Sequence, residues 1–63
     1  MWVLRSKVNG KLFSDVDMTD ENEELIWDDN DPWKFGREND AWFARLFIDP
    51  ENVWDMVAEE VVE

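Results

Sequence analysis

Three local signals in this 63-residue chain predict an α+β fold. Two short apolar runs flank Asn9-Gly10, a dipeptide that favours tight hairpin turns. An aromatic-rich run, Ala41 to Ile48 (AWFARLFI), supplies the apolar surface of one further strand. Asp49-Pro50-Glu51 then opens a stretch whose apolar residues recur at helical spacing. The expected architecture is a small three-stranded antiparallel sheet, built from the N-terminal hairpin plus one strand, with a C-terminal helix packed on one face.

Taken in order, Trp2 to Val8 and Lys11 to Val16 form the hairpin arms. A two-residue turn on Asn9-Gly10 would set Leu4 beside Asp15 and scatter the apolar residues over both faces. A three-residue loop, Val8-Asn9-Gly10 with Gly10 left-handed, pairs Lys7 with Lys11 and gathers Trp2, Leu4, Leu12 and Val16 on one face. The second register is preferred for that reason. Thr19 to Trp27 reads as a turn or two of helix capped by Asp20, with Glu23 three residues on. Asp28 to Asp40 carries loop signals, with Trp33 and Phe35 pinning it to the body.

Ala41 to Ile48 fits either a strand or a helix. As a strand it places Trp42, Ala44, Leu46 and Ile48 on one face and Phe43, Arg45 and Phe47 on the other. Aromatic enrichment and the hairpin's need for a third strand favour that reading. In the last segment Asp49 is read as cap, Pro50 as first helical residue and Glu51 as a first-turn acid. Val53, Trp54, Val57 and Val61 would face the sheet.

Sixty-three residues make one small domain near the lower limit for folding alone. With no Cys and no His, disulfides, thiolate chemistry and the usual zinc sites are excluded. Five Trp and four Phe separate the chain from disordered acidic tails. No apolar run reaches membrane-spanning length and the start lacks a signal-peptide core, so a soluble, cytoplasmic protein without membrane association is expected.

The net charge of −11 is unevenly spread. Residues 1–14 carry +3, residues 15–33 carry −9 and residues 34–63 carry −5. Between Asp15 and Asp31 stand nine carboxylates in seventeen residues with no Lys or Arg: Asp15, Asp17, Asp20, Glu21, Glu23, Glu24, Asp28, Asp29 and Asp31. Such density raises the energy of any compact state, and a small domain has little stability to set against it. On the predicted C-terminal helix, Glu51, Asp55, Glu59 and Glu63 recur every fourth residue, about 6 Å apart. Phosphates along a nucleic-acid strand have comparable spacing, and carboxylates so arranged can replace them in a groove lined by Lys and Arg.

Catalysis is not expected, since Ser6, Ser14 and Thr19 have no evident base. Asp15-x-Asp17-x-Thr19 resembles the opening of a calcium loop, but Asp20 stands where Gly is needed and Ile26 where the bidentate Glu should be. No metal or cofactor is therefore expected. Net negative charge also disfavours direct binding to nucleic acid. Trp2, Trp42 and Trp54 are assigned to the core. Trp27, Trp33 and Phe35 are candidates for partial exposure, either as anchors on a basic partner, as a loop staple, or buried in a homodimer.

Small size, strong acidity, absence of Cys and an α+β body together resemble the small acidic phage-encoded inhibitors that mimic nucleic acid, of the anti-CRISPR and anti-restriction type. The resemblance implies stoichiometric blockade of a nucleic-acid-binding complex in the bacterial cytoplasm. It transfers no residue roles, because that class shares no common fold. The expected function is thus a non-enzymatic inhibitor whose carboxylates from Asp15 to Asp31 and along Glu51, Asp55, Glu59 and Glu63 meet a basic surface, with Trp33 and Phe35 as anchors. The alternative is a structural or adaptor module, homodimeric in one form, whose acidity serves solubility alone.

Overall fold

In the computed structural model, which describes residues 1–17 and 24–62, the chain is α+β. Its order is β1 (Trp2–Ser6), β2 (Phe13–Asp17), β3 (Glu24–Trp27), α1 (Glu38–Ile48) and β4 (Met56–Glu60). The strands pair as two separate two-stranded antiparallel sheets, β1 with β4 and β2 with β3. This corrects the expected three-stranded sheet. β1 pairs with β4 from Trp2↔Glu60 to Ser6↔Met56, and the N-terminal hairpin does not zip up beside it, since Trp2 bridges to Phe35 rather than to β2. Only an isolated bridge, Arg5↔Leu12, joins it to the start of the second arm.

The hairpin turn itself is tight. Gly10 adopts the expected left-handed conformation (φ 71°) and its N–H bonds the Ser6 carbonyl at 2.9 Å. Ser6 N–H in turn bonds the Lys11 carbonyl at 3.0 Å, so the loop spans Lys7 to Gly10 and Lys7 does not pair with Lys11. The register slips by one residue from the expected one, and a one-residue slip exchanges faces. Phe13, rather than Leu12, therefore joins Leu4 in the core cluster. The reason is local: the Ser6 hydroxyl, fully buried, accepts from Val8 and Asn9 N–H and donates to the Trp54 carbonyl at 2.7 Å. That network fixes where the turn begins.

β2 contains a bulge. Phe13 stands opposite Trp27, but Asp15 stands opposite the very next residue back, Ile26. Ser14 is thus the extra residue, and strict alternation is broken. The consequence is that Phe13 and Val16 both pack toward the core, opposite Trp27 and Leu25. Without the bulge, Phe13 would share a face with Asp15 and Asp17.

Ala41 to Ile48 is helix, not strand. α1 carries Glu38 and Asp40 in its first turn and Arg45 in its last, the polarity the helix dipole favours. Ala41 is fully buried, and Ile48, two turns on, packs against the core. Small residues at helical spacing let the helix axis lie close to the sheets, which a strand with alternating Ala and Trp could not do.

The C-terminal segment makes the opposite exchange: the expected helix is β4. Asp49 does act as a cap, but for a wide turn. Its buried carboxylate accepts the N–H groups of Val53 (2.9 Å) and Trp54 (2.8 Å). Asn52 (φ 56°) and Asp55 (φ 46°) then take left-handed conformations that a helix cannot contain. Past that break, Met56 to Glu60 runs extended, and β1 supplies its ladder. The Thr19–Trp27 helix is also corrected for its described end, since Glu24–Trp27 is β3; its Asp20 cap and Glu23 lie outside the described residues.

One buried side chain from each of four elements meets at the centre: Leu4 (β1), Phe13 (β2), Ala41 (α1) and Met56 (β4). Trp27 extends this core, with edge-on contacts to Phe13 at 6.4 Å and to Trp54 at 5.2 Å. Trp2 and Trp54 pack against the cluster as expected, whereas Trp42 lies half-exposed on α1.

Candidate functional site

The first candidate surface is the outer face of the β2–β3 sheet. Its inner face is apolar, with Phe13, Val16, Leu25 and Trp27. Alternation leaves Asp15, Asp17, Glu24 and Ile26 outside. Asp17 stands directly opposite Glu24 and Asp15 opposite Ile26. Along the strand Asp15 and Asp17 lie about 6.6 Å apart, and cross-strand neighbours sit within about 5.5 Å. Three carboxylates therefore share a patch that spans three residues of β2.

A second group of acids continues from this face. After β3 the chain turns back and is laced to the start of β2. Asp28 N–H bonds the Leu12 carbonyl (3.0 Å), Asp29 Oδ1 accepts Leu12 N–H (2.8 Å) and Ser14 Oγ donates to the Asp31 carbonyl (2.8 Å). Asp28 Oδ1 accepts Asn30 N–H, closing a local turn. The segment is a fixed loop, and its lacing leaves Asp28, Asp29 and Asp31 exposed. It continues through Trp33 N–H to the Phe13 carbonyl (3.0 Å) and through a pair of bonds between Phe35 and Trp2 (2.7 and 2.8 Å). Phe35 is half-buried against the core while Trp33 is exposed, its ring 6.4 Å from that of Phe35. Trp27, the third aromatic expected at the surface, is packed against the core.

The row on the C-terminal helix does not exist. Glu51 lies in the turn before β4, Asp55 at its left-handed entry, and Glu59 within the strand. On a strand, residues four apart share a face but stand about 13 Å apart, so the phosphate-like spacing of about 6 Å is lost. Glu59 is moreover engaged by Arg5, whose Nε lies 2.6 Å from Glu59 Oε2, and this hydrogen bond raises the Arg5 pKa. Asp20, Glu21, Glu23 and Glu63 lie outside the described residues. Among the described residues, no three acids converge as metal ligands, and no helix is long and apolar enough to cross a membrane.

The second surface was missed by sequence reasoning. On the outer side of α1, Phe43, Leu46 and Phe47 are 63%, 56% and 73% exposed, and the two Phe rings stack edge-on at 5.1 Å. The strand reading hid them by dividing Phe43 and Phe47 from Leu46. Their i, i+3, i+4 spacing, complementary to the inward Ala41, Ala44 and Ile48, was the available signal. Between this helix and the hairpin lies an apolar cleft of about 290 Å³ lined by Phe13, Val16, Trp33, Phe35, Ala44 and Ile48, with Asp15 at its edge. Comparison with known protein families, characterised proteins and solved structures finds no match for this chain.

Proposed function

We propose that this chain is a non-enzymatic acidic binding protein that occupies a basic, nucleic-acid-binding surface of a partner, in the manner of the small phage-encoded inhibitors that mimic DNA or RNA. The observation that carries this reading is the acidic outer face of β2–β3, where Asp15 and Glu24 are exposed and the 28–31 loop adds three further exposed carboxylates. A fold this small gathers exposed carboxylates on one side more readily when a basic partner neutralises them on binding. Asp28, Asp29 and Asp31 widen the same acidic region on a rigid loop, and the exposed Trp33 stands beside it as anchor. With the helical row gone, the carboxylates assigned to contact are those of the hairpin and the 28–31 loop rather than Glu51, Asp55 and Glu59.

The test is capture of partners from a bacterial lysate at low salt, elution with salt, and competition for the recovered partner by duplex DNA or RNA. Expected is one nucleic-acid-binding complex, released steeply by salt, displaced by nucleic acid and lost with the double variant Asp15→Lys/Glu24→Lys. Affinity indifferent to salt and to those two reversals defeats the reading. The alternative, an adaptor module with acidity for solubility, is favoured by one observation only, the exposed apolar side of α1.

A further inference from the structure

We propose that the outer face of α1 is a self-association surface, covered by the same face of a second copy of this chain. The inference stands on residues that the acidic reading does not use.

Three observations select a second copy as the occupant. The first is charge. Across residues 37–48, Arg37 and Arg45 balance Glu38 and Asp40, so the whole net charge of −11 lies elsewhere in the chain. On the outward side of the helix, positions 39, 40, 43, 46 and 47 include one charged residue, Asp40. A face meant for a basic partner would set acids around its aromatic anchors, as the hairpin does. A face that must meet its own copy has to exclude them, because every charge on it is presented twice. An antiparallel crossing of the two helices also keeps the two Asp40 carboxylates at opposite ends of the contact.

The second is the size of the core. Among the described residues, Val3, Leu4, Leu12, Phe13, Ala41 and Met56 are the buried apolar side chains. Chains of this length without disulfide or metal commonly complete their apolar burial by oligomerising. The third is area. At their observed exposures, Phe43 and Phe47 together offer roughly 200–300 Å². Leu46, Asn39 and the half-exposed edge of Trp42 bring that to roughly 500 Å² a side, about 1,000 Å² over two copies, the lower limit for a specific interface and the size of a weak dimer. The aromatic centre and charge-poor composition match interface cores.

Sedimentation equilibrium of the full chain over a range of concentrations and salt is the test. A dimer is expected whose association tightens as salt rises, since salt screens the repulsion between two copies of charge −11. Phe43→Asp/Phe47→Asp should be monomeric with an unchanged far-ultraviolet spectrum and a melting temperature that, unlike the parent's, no longer rises with protein concentration. The chain has no cysteine, so Leu46→Cys gives an independent readout that keeps the Phe residues: a disulfide-linked dimer should form on oxidation, while Glu60→Cys on β4 should not. A wild-type chain monomeric at every concentration and salt overturns the proposal. So does a dimer that survives the double Phe variant, or that Glu60→Cys cross-links as readily as Leu46→Cys. If instead the double Phe variant loses only a heterologous partner, the face belongs to that partner and self-association is rejected. Salt separates the two proposals, because an acidic contact on a basic partner weakens with salt where this dimer tightens.

Discussion

The hairpin β2–β3 and the helix α1 are built on the same core yet present opposite surfaces. The hairpin turns Phe13, Val16, Leu25 and Trp27 inward and carboxylates outward. The helix turns small residues inward and large ones outward, so that Ala41 is buried while Phe43 and Phe47 face solvent. In the hairpin the burden of exposure is electrostatic, responsive to salt and to basic partners. In the helix it is hydrophobic, and relieved only by contact. The two proposals assign these unlike burdens to two contact surfaces, one for a basic surface and one for an apolar one.

The largest effect should come from removing what the two surfaces share. Leu4 is fully buried in the cluster where hairpin, helix and β4 meet. Leu4→Ala should destabilise by about 2–5 kcal/mol, because the cavity cannot collapse between two sheets and a helix. Urea unfolding followed by Trp fluorescence would measure it. Loss of both surfaces in one transition is expected; separate transitions would show that hairpin and helix do not rest on a common core.

Next in size is Asp49→Ala. The buried carboxylate holds Val53 and Trp54 N–H, and hydrogen bonds to a charged group contribute about 1.5–3 kcal/mol each before compensation. Releasing this turn should free Trp54 from Trp27 and lower the melting temperature. The carboxylate of Asp49 holds Val53 and Trp54 rather than the exposed acids of the hairpin, so salt-dependent partner binding should persist below the new melting point. A titration of partner affinity in the variant checks it.

Asp49 also shows how far the sequence was legible. Its role as a backbone acceptor was readable from Asp-Pro-Glu, but the same signal fits a helix start and a wide turn. The left-handed Asn52 and Asp55 decided between them, and neither residue announces that conformation. Ala41 to Ile48 failed for a related reason. An apolar run populated on all sides satisfies periods of both 2 and 3.6, and only the packing of Ala41 beside Leu4 and Met56 selects one. Strand and helix thus exchanged places along the C-terminal half while the α+β class held. The acidity of Asp15 to Asp31 was visible at once, because charge survives any error of secondary structure. The Phe43–Leu46–Phe47 face was not, because a face is defined only once the period is known.

The smallest expected effect gives the sharpest comparison, since its two readouts move in opposite directions. Glu24 lies opposite Asp17 on the hairpin's outer face. Glu24→Lys lowers the negative charge of a face that also holds Asp15 and Asp17, and cross-strand charge exchanges are worth about 0.2–1 kcal/mol. The variant should therefore melt slightly higher than the parent at low salt, with the difference shrinking as salt rises. Its affinity for a basic partner should fall in the same buffer, because one carboxylate is lost and a positive charge now faces the partner's own. Dimerisation through α1 should be unaffected or slightly tighter, since each copy carries two fewer units of negative charge. Calorimetry and a salt-dependent binding series on one preparation would supply both numbers. A melting temperature that falls, or a partner affinity that holds, would mean that the acidity of this face is not relieved by binding, and the hairpin face would lose its claim to be the contact surface.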